Sequence, residues 1–254
     1  MKVLAIANQK GGVAKTTTAA AIGAGLAQLG RRALMVDLDP QASLTQGLGI
    51  DANGRSIAQV IGGVTRGTMG LQDIIQPIFK GLDLAPSDID LAASESGLVS
   101  RMARENVIKQ ALQAVKDYDV IILDCPPALS LLTIGALVAS NAVIVPTLPA
   151  AGDLRGVKMF LQTIELTREL NPTLELLGLL VVQYDPRLIA HAQALEAIKA
   201  ARLQVSGIIP RSVKAQEATA AKQPVTIYDP GGKVSEAYKT VTRKVNQWLT
   251  KSPA

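Results

Sequence analysis

Short apolar runs alternate with segments of helical spacing along most of the chain. Seven runs predict strands, at residues 3–7, 33–36, 82–85, 120–123, 142–145, 176–182 and 205–209. Continuous apolar strands are typical of parallel sheets whose two faces are both covered. The pattern therefore predicts an α/β fold, with a doubly wound, mostly parallel sheet and helices on both faces.

Helices are predicted between these strands where apolar residues recur every three or four positions. The segments are 19–29, 56–61, 71–75, 88–103, 105–115, 129–139, 157–170 and a C-terminal helix at about 233–250. The apolar stripe of the last helix predicts that it docks on the body of the protein rather than anchoring it in a membrane. We expect residues 1–254 to form a single domain.

Cysteine content and hydropathy indicate the compartment. The single cysteine, Cys125, excludes an internal disulfide and a cysteine metal cluster within one chain, which is typical of a reducing environment. No apolar run approaches the length of a membrane span, and the chain opens directly into a strand rather than a signal peptide. We therefore expect a cytoplasmic protein without a transmembrane segment.

Positive charge is concentrated in the last quarter of the chain. Residues 187–254 hold 11 basic and 4 acidic side chains, a sum of +7, whereas residues 1–186 hold 15 basic and 17 acidic, a sum of −2. This asymmetry indicates a polyanionic partner, either nucleic acid or an anionic membrane surface. An ordinary solvated surface is the alternative.

The strongest chemical signal is the glycine-rich loop NQKGGVAKTT between the first predicted strand and the first helix. Such a loop offers free backbone N–H groups and a helix N-terminus to phosphate. Lys15 would contact the β- and γ-phosphates, and the Thr16 hydroxyl would bind Mg²⁺. The common pattern G-x-x-x-x-G-K-[ST] is missed at Gln9 and Ala14, and a second lysine, Lys10, opens the loop.

Carboxylates follow two of the predicted strands, at the sheet edge where open α/β folds bind ligands. Asp37 and Asp39 follow the second strand in D-L-D-P-Q, and Asp124 ends the 120–123 strand in D-C-P-P. Asp124 would hold Mg²⁺ through water, because this ion keeps much of its hydration shell. Cys125 is interpreted as a packing residue.

These segments resemble the ParA/Soj family of DNA-partitioning ATPases, which are deviant Walker A P-loop NTPases and relatives of MinD. The resemblance rests on K-G-G-x-x-K-T, D-x-D-P-Q, D-C-P-P and I-P-R-x-x-x-x-x-E-A, and it is poor only at residues 42–100 and 147–156. It implies a Mg²⁺-dependent ATPase that is slow unless stimulated. A guanine-reading N-K-x-D motif is missing after the second acidic strand, which also favours ATP over GTP.

The resemblance implies roles for individual residues. Catalysis is assigned to Lys10, Lys15 and Asp39, of which Asp39 would position or activate the attacking water. The nucleotide would be bound by Lys10, Gly11, Gly12, Val13, Ala14, Lys15, Thr16, Thr17, Pro210 and Arg211. The metal would be bound by Thr16, Asp39 and Asp124.

The family's cycle is also implied. Two ATP-loaded subunits would form a homodimer in which Lys10 of each reaches the phosphates of the other. The dimer would bind DNA non-specifically through Arg187 and Lys214. A ParB-type centromere-binding partner would stimulate hydrolysis and release the protein from DNA, so we expect nucleoid association.

Two alternatives remain open at this point. A MinD-like switch would bind a membrane surface through the C-terminal amphipathic helix, although the polar ending at 252–254 favours DNA. A nucleotide-dependent scaffold that does not hydrolyse ATP is compatible with Ala14 and Arg155. A reductase resembling nitrogenase iron protein is excluded, because it needs more cysteines than one per chain.

Overall fold

The computed structural model describes residues 1–63 and 69–251, so the polar ending at 252–254 lies outside the described residues. The strands are β1 (Lys2–Ile6), β2 (Ala33–Asp37), β3 (Gln76–Phe79), β4 (Leu82–Ala85), β5 (Val120–Asp124), β6 (Ala142–Thr147), β7 (Glu175–Tyr184) and β8 (Val205–Pro210). The helices are α1 (Lys15–Gln28), α2 (Ser43–Gly47), α3 (Ile57–Gly63), α4 (Asp90–Gly97), α5 (Val107–Gln113), α6 (Leu131–Ala139), α7 (Ala151–Thr167), α8 (Ile189–Ala200), α9 (Lys214–Ala220), α10 (Val225–Tyr228) and α11 (Lys233–Thr250).

The described strands form one sheet in the order β3-β4-β2-β5-β1-β6-β7-β8. Every neighbouring pair is parallel except β3 and β4. Asp124 of β5 is in register with Ile6 of β1 and with Asp37 of β2. The predicted doubly wound sheet is therefore confirmed, and three strands end level at the edge that carries the glycine-rich loop and the carboxylates.

The two faces of the sheet have separate apolar cores. Because successive strand residues point to opposite faces, Leu4 and Ile6 pack with α1 and α11, whereas Val3 and Ala5 pack with α3, α5, α6, α7 and α8. The predicted stripe of α11 is buried on the first face, through Val234, Tyr238, Val241, Val245 and Trp248. The apolar stripe of α11 therefore packs against the body of the protein, as predicted.

Several predicted boundaries were wrong. The helix predicted at 88–103 extends only over Asp90–Gly97, and the next helix begins at Val107 after a 3-10 turn at Arg104–Asn106. Ala103 lies between them in the left-handed region, with φ 53°, which interrupts a right-handed helix. Of the helix predicted at 71–75, only a 3-10 turn at Leu71–Asp73 forms.

The sheet also has an edge strand that the apolar pattern did not predict. β3 contains Pro77, which cannot donate a ladder hydrogen bond and is therefore tolerated at an edge.

None of the described helices has both the length and the hydropathy of a membrane span.

Candidate nucleotide-binding site

The loop between β1 and α1 has left-handed backbone at two positions. Gly12 has φ +72°, and a Cβ added there would meet no heavy atom within 4 Å, so glycine is required by conformation rather than by space. Ala14 has φ 57° and ψ 34° and immediately precedes α1. Ala14 therefore keeps the backbone conformation that glycine favours, although it carries a methyl group.

Hydrogen bonds to the ends of two other strands, β6 and β7, hold this loop in place. The buried Asn8 amide donates to the carbonyl of Pro146 at 2.7 Å, and its oxygen accepts from the Lys10 backbone N–H at 3.1 Å. On the other side, Gln183 donates its amide to the Gly12 carbonyl at 3.2 Å. The Gln183 contact was not predicted, because its partner is 171 residues away along the chain.

Lys15 is the first residue of α1, and its side chain reaches back to the glycine-rich loop. Its Nζ donates to the Lys10 carbonyl at 2.8 Å, and the residue is only 7% exposed. Burial lowers the pKa of Lys15, while the carboxylates of Asp124 and Asp39 act in the opposite direction. Lys15 thus places a buried amine near the carboxylates of Asp124 and Asp39.

Asp124, the last residue of β5, has a buried carboxylate. It is fully buried, and neither carboxylate oxygen has a hydrogen-bond partner among the described residues. Burial, together with repulsion from Asp37, raises the pKa of Asp124 well above its ordinary value, and the nearby Thr16 hydroxyl and Lys15 amine oppose this rise. A buried carboxylate without a partner is costly, so the position fits a bound cation.

The donor chemistry around Asp124 fits Mg²⁺. A hydroxyl and a carboxylate offer oxygen ligands, which this ion prefers, and it usually takes one or two carboxylates together with waters and phosphates. Within residues 1–63 and 69–251, no three His, Cys, Asp or Glu side chains are grouped as metal ligands. The site therefore fits a hydrated ion shared with phosphate better than a cage built from protein side chains.

Asp37, which ends β2, and Asp39, which follows it, have different surroundings. Asp37 accepts hydrogen bonds from the Thr45 N–H at 2.9 Å, the Thr45 hydroxyl at 2.7 Å and the Asp39 N–H at 3.1 Å. Burial raises the pKa of Asp37 to about 6 in spite of these bonds. Asp39 accepts from the Gln41 N–H at 2.9 Å and is 9% exposed. Asp37 thus shapes the loop after β2, and Asp39 lies nearer the surface.

A cavity of about 570 Å³ opens beside the glycine-rich loop. Its walls include Gly12 from the loop and Thr17 from α1, Pro210 and Arg211 at the end of β8, and Gln183 near the end of β7. The volume is within the range of ordinary small-ligand sites. The structure thus brings the two separate segments predicted to bind the nucleotide to one cavity.

The first lysine of the loop points to α7 of the same chain. Lys10 forms an ion pair with Asp153, whose side chain is only 5% exposed, whereas that of Lys10 is 47% exposed. The preceding residue, Gln9, donates its amide to the carbonyl of Gly156 at 3.3 Å. The residues that open the loop are therefore attached to the beginning of α7.

The two predicted DNA-binding residues follow neighbouring strands: Arg187 lies on the turn after β7, and Lys214 begins α9 after β8. Arg187 is 86% exposed and donates to both oxygens of Asp185, at 2.9 and 2.7 Å. These bonds hold the pKa of Asp185 well below its ordinary range. Lys214 pairs with Glu217 at 2.8 Å. Both basic groups face solvent, but each is already paired with a carboxylate.

Cys125 is packed inside the site rather than exposed to it. The residue is 1% exposed, and its Sγ lies 3.9 Å from the Leu123 carbonyl. Burial raises the pKa of the thiol far above the ordinary value, and repulsion from Asp124 raises it further. A protonated, buried thiol is a poor nucleophile and a poor metal ligand.

Comparison with known proteins identifies the family. Residues 1–176 match the family described as an AAA domain. The chain is 40% identical over 249 residues to the sporulation initiation inhibitor protein Soj of Bacillus subtilis, covering 96% of this chain and 98% of that protein. It is 37% identical over 257 residues to the chromosome partitioning protein ParA of Caulobacter vibrioides, covering 96% of this chain and 94% of the relative.

A solved structure has the same architecture. The cobyrinic acid a,c-diamide synthase of Mycobacterium smegmatis, with bound ADP and magnesium, superposes with a TM-score of 0.85 at 37% identity. The match covers 100% of this chain and 97% of the other. Given the sequence relationship to Soj and ParA over nearly its full length, the chain belongs to the ParA/Soj family of P-loop partitioning ATPases.

Proposed function

We propose that this protein is a Mg²⁺-dependent ATPase that partitions DNA. The observation that supports this best is the Asp124 carboxylate, which is buried without a hydrogen-bond partner among the described residues. It lies near Thr16 and Lys15, the residues with which α1 begins after the glycine-rich loop. The names of its chromosome-partitioning relatives and the magnesium and ADP held by the M. smegmatis protein point to the same function. When bound, Mg²⁺ would neutralise charge on the β- and γ-phosphates.

In this proposal the loop and the cavity divide the recognition of ATP. The backbone N–H groups of residues 10–17 and the Lys15 amine bind the phosphates. Pro210 and Arg211 border the base in the cavity. Thr16 and Asp124 hold the metal. The raised pKa of Asp124 describes the carboxylate without a cation, and a bound cation would favour its ionised form.

Hydrolysis requires a group that orients water, and we assign this to Asp39. Its carboxylate lies near Lys15 and is not completely buried. Asp39→Ala is expected to bind ATP but to accumulate as an ATP-bound dimer. Rapid phosphate release by this variant in a single-turnover assay would remove Asp39 from the mechanism.

Dimerisation follows from the second lysine of the loop. We propose that Lys10 of each subunit contacts the phosphates of the other, so that ATP holds the two subunits together. A pair of unit charges 4 Å apart is worth roughly 4 kcal/mol at an effective dielectric constant of 20. Lys10→Ala should keep ATP binding and lose the ATP-dependent dimer in sedimentation velocity; an unchanged dimer would contradict the proposal.

DNA binding is assigned to the basic surface after β7 and β8. The register places Tyr184 opposite Pro210, so the segments that lead to Arg187 and Lys214 leave the sheet side by side. In a dimer these residues would form a continuous patch that contacts DNA phosphates without reading sequence. Affinity for random duplex DNA should fall steeply with salt, and Arg187→Ala should reduce the slope of log K against log salt by about 1.

The membrane alternative has less support. Its anchor would be α11, but the apolar stripe of that helix is buried, with Tyr238 and Val241 each 1% exposed. Membrane insertion would therefore require α11 to leave the core. Co-sedimentation with anionic vesicles in the presence of ATP would favour the membrane switch over DNA.

The decisive experiment for the proposed function is a steady-state ATPase assay. ATP turnover is measured alone, with random duplex DNA, with a ParB-type partner, and with both. We expect slow basal hydrolysis that rises only when the partner is present, and no hydrolysis by Lys15→Ala. If nucleotide binds but no condition gives hydrolysis above that of Lys15→Ala, the protein is a nucleotide-dependent scaffold instead.

A further inference from the structure

We propose that Asp153 is a positioning residue for Lys10, and that it keeps the Lys10 ammonium group away from a partner's nucleotide until a dimer forms. This inference rests on the proposed ATP-dependent dimer. It starts from the ion pair that Lys10 makes within its own chain, with a carboxylate 143 residues away in sequence.

The ion pair is asymmetric in burial. The Asp153 side chain is only 5% exposed, and its second oxygen, Oδ2, is buried without a hydrogen-bond partner. In the described part of the chain, Lys10 is the one cation within ion-pair distance of this carboxylate. A nearly buried, half-satisfied carboxylate binds its single counter-ion more strongly than a carboxylate on an exposed surface does.

The surrounding contacts fix the direction in which Lys10 points. Asn8 is hydrogen-bonded to Pro146 of β6, and Gln9 to Gly156 of α7, so two consecutive residues before Lys10 are attached to these two elements. Asp153 itself lies in the first turn of α7, where the helix dipole favours a negative charge. The helix N-terminus therefore still acts on the Asp153 carboxylate when the lysine moves away.

These contacts create a competition for one ammonium group. Lys10 is 47% exposed, so its side chain can rotate outward, but contact with the phosphates of another subunit would take it from Asp153. The free energy of this ion pair is then subtracted from that of dimer formation. A ligand with more negative charge near Lys10 overcomes it more readily, so Asp153 sets how strongly the dimer depends on the γ-phosphate.

The test compares the dimer dissociation constants of matched variants by sedimentation velocity, with Mg²⁺ and a non-hydrolysable ATP analogue. Asp153→Asn keeps the shape and removes the charge, Asp153→Glu restores the charge, and Glu165→Gln removes a carboxylate from an exposed ion pair on the same helix. We expect Asp153→Asn to tighten the dimer by about fivefold or more. Asp153→Glu should return towards wild type, and Glu165→Gln should have no effect.

The double variant distinguishes an effect of Asp153 through Lys10 from a purely structural role of Asp153. If Asp153 acts through Lys10, Asp153→Asn does not restore an ATP-dependent dimer in the Lys10→Ala background, and the affinity of the monomer for a fluorescent ATP analogue stays within about twofold. A dimer that is unchanged or weaker in Asp153→Asn, while wild type dimerises, overturns the inference and leaves the proposed function intact. If neither wild type nor Asp153→Asn dimerises, the proposed dimer fails and the inference fails with it.

Discussion

Replacing Ala14 by glycine tests whether the loop keeps a left-handed backbone at the position where the common phosphate-loop pattern has glycine. Ala14 has φ 57° and ψ 34°. This conformation costs an L-residue about 1–2 kcal/mol, and glycine adopts it without that cost. Glycine has greater freedom in the unfolded chain, which offsets about 0.5–1 kcal/mol. We therefore expect Ala14→Gly to increase the free energy of unfolding by about 0.5–1 kcal/mol.

Thermal unfolding of the nucleotide-free protein measures this difference. A gain of this size raises Tm by about 1–4 °C in a domain of this length. Ala103→Gly is the matched control, because Ala103 has nearly the same backbone, φ 53° and ψ 34°, in a turn between α4 and α5. Ala24→Gly is the opposite control, because Ala24 is a buried residue within α1. The reasoning is refuted if Ala14→Gly lowers Tm, as Ala24→Gly should, while Ala103→Gly raises it.

Three other features give separate predictions. Gly25→Ala should destabilise the protein by about 1–3 kcal/mol in urea unfolding, because the new Cβ would lie 2.8 Å from the Thr242 hydroxyl oxygen; Gly97→Ala, which meets no atom within 4 Å, should instead be neutral or stabilising. Cys125 should react with a thiol reagent at pH 8 on the order of 100-fold more slowly in the folded protein than in urea, and equal rates would contradict its burial. Asp124→Asn should raise the Tm of the nucleotide-free protein, because it removes a buried, unpartnered charge, and should abolish the Mg²⁺ dependence of ATP-analogue binding; a lower Tm in EDTA would contradict this account.

Local sequence determined most of the sheet. β1, β2 and β5 are continuous apolar runs, and each is buried along nearly its whole length because helices cover both faces. β3 has no such run, since it lies at the edge, where only Ile78 and Phe79 pack partly against the core and pairing with β4 completes the strand. The helix predicted at 88–103 was too long because apolar spacing does not mark its end at Gly97, after which the chain turns before the left-handed backbone at Ala103.

The site was predictable where its residues are neighbours in sequence. The glycine-rich loop and the carboxylates after β2 and β5 follow directly from strand ends, and the parallel register brings them together. The contacts of Lys10 with Asp153 and of Gln183 with Gly12 join residues more than 140 positions apart. No periodicity encodes such pairs. The poor family match at 147–156 indicated where the loop's surroundings differ, but not which side chain would contact Lys10.

The two departures from the common phosphate-loop pattern have different physical meanings. Ala14 has the left-handed backbone that glycine adopts more easily, so its methyl group adds a conformational cost to the loop. At Gln9 the new side chain forms a contact with α7 that glycine cannot make, and Lys10 adds an ion pair to the same helix. The start of the phosphate loop therefore depends on the position of α7. A partner that moves α7, or that removes Lys10 from Asp153, would act on the phosphate site without contacting the nucleotide.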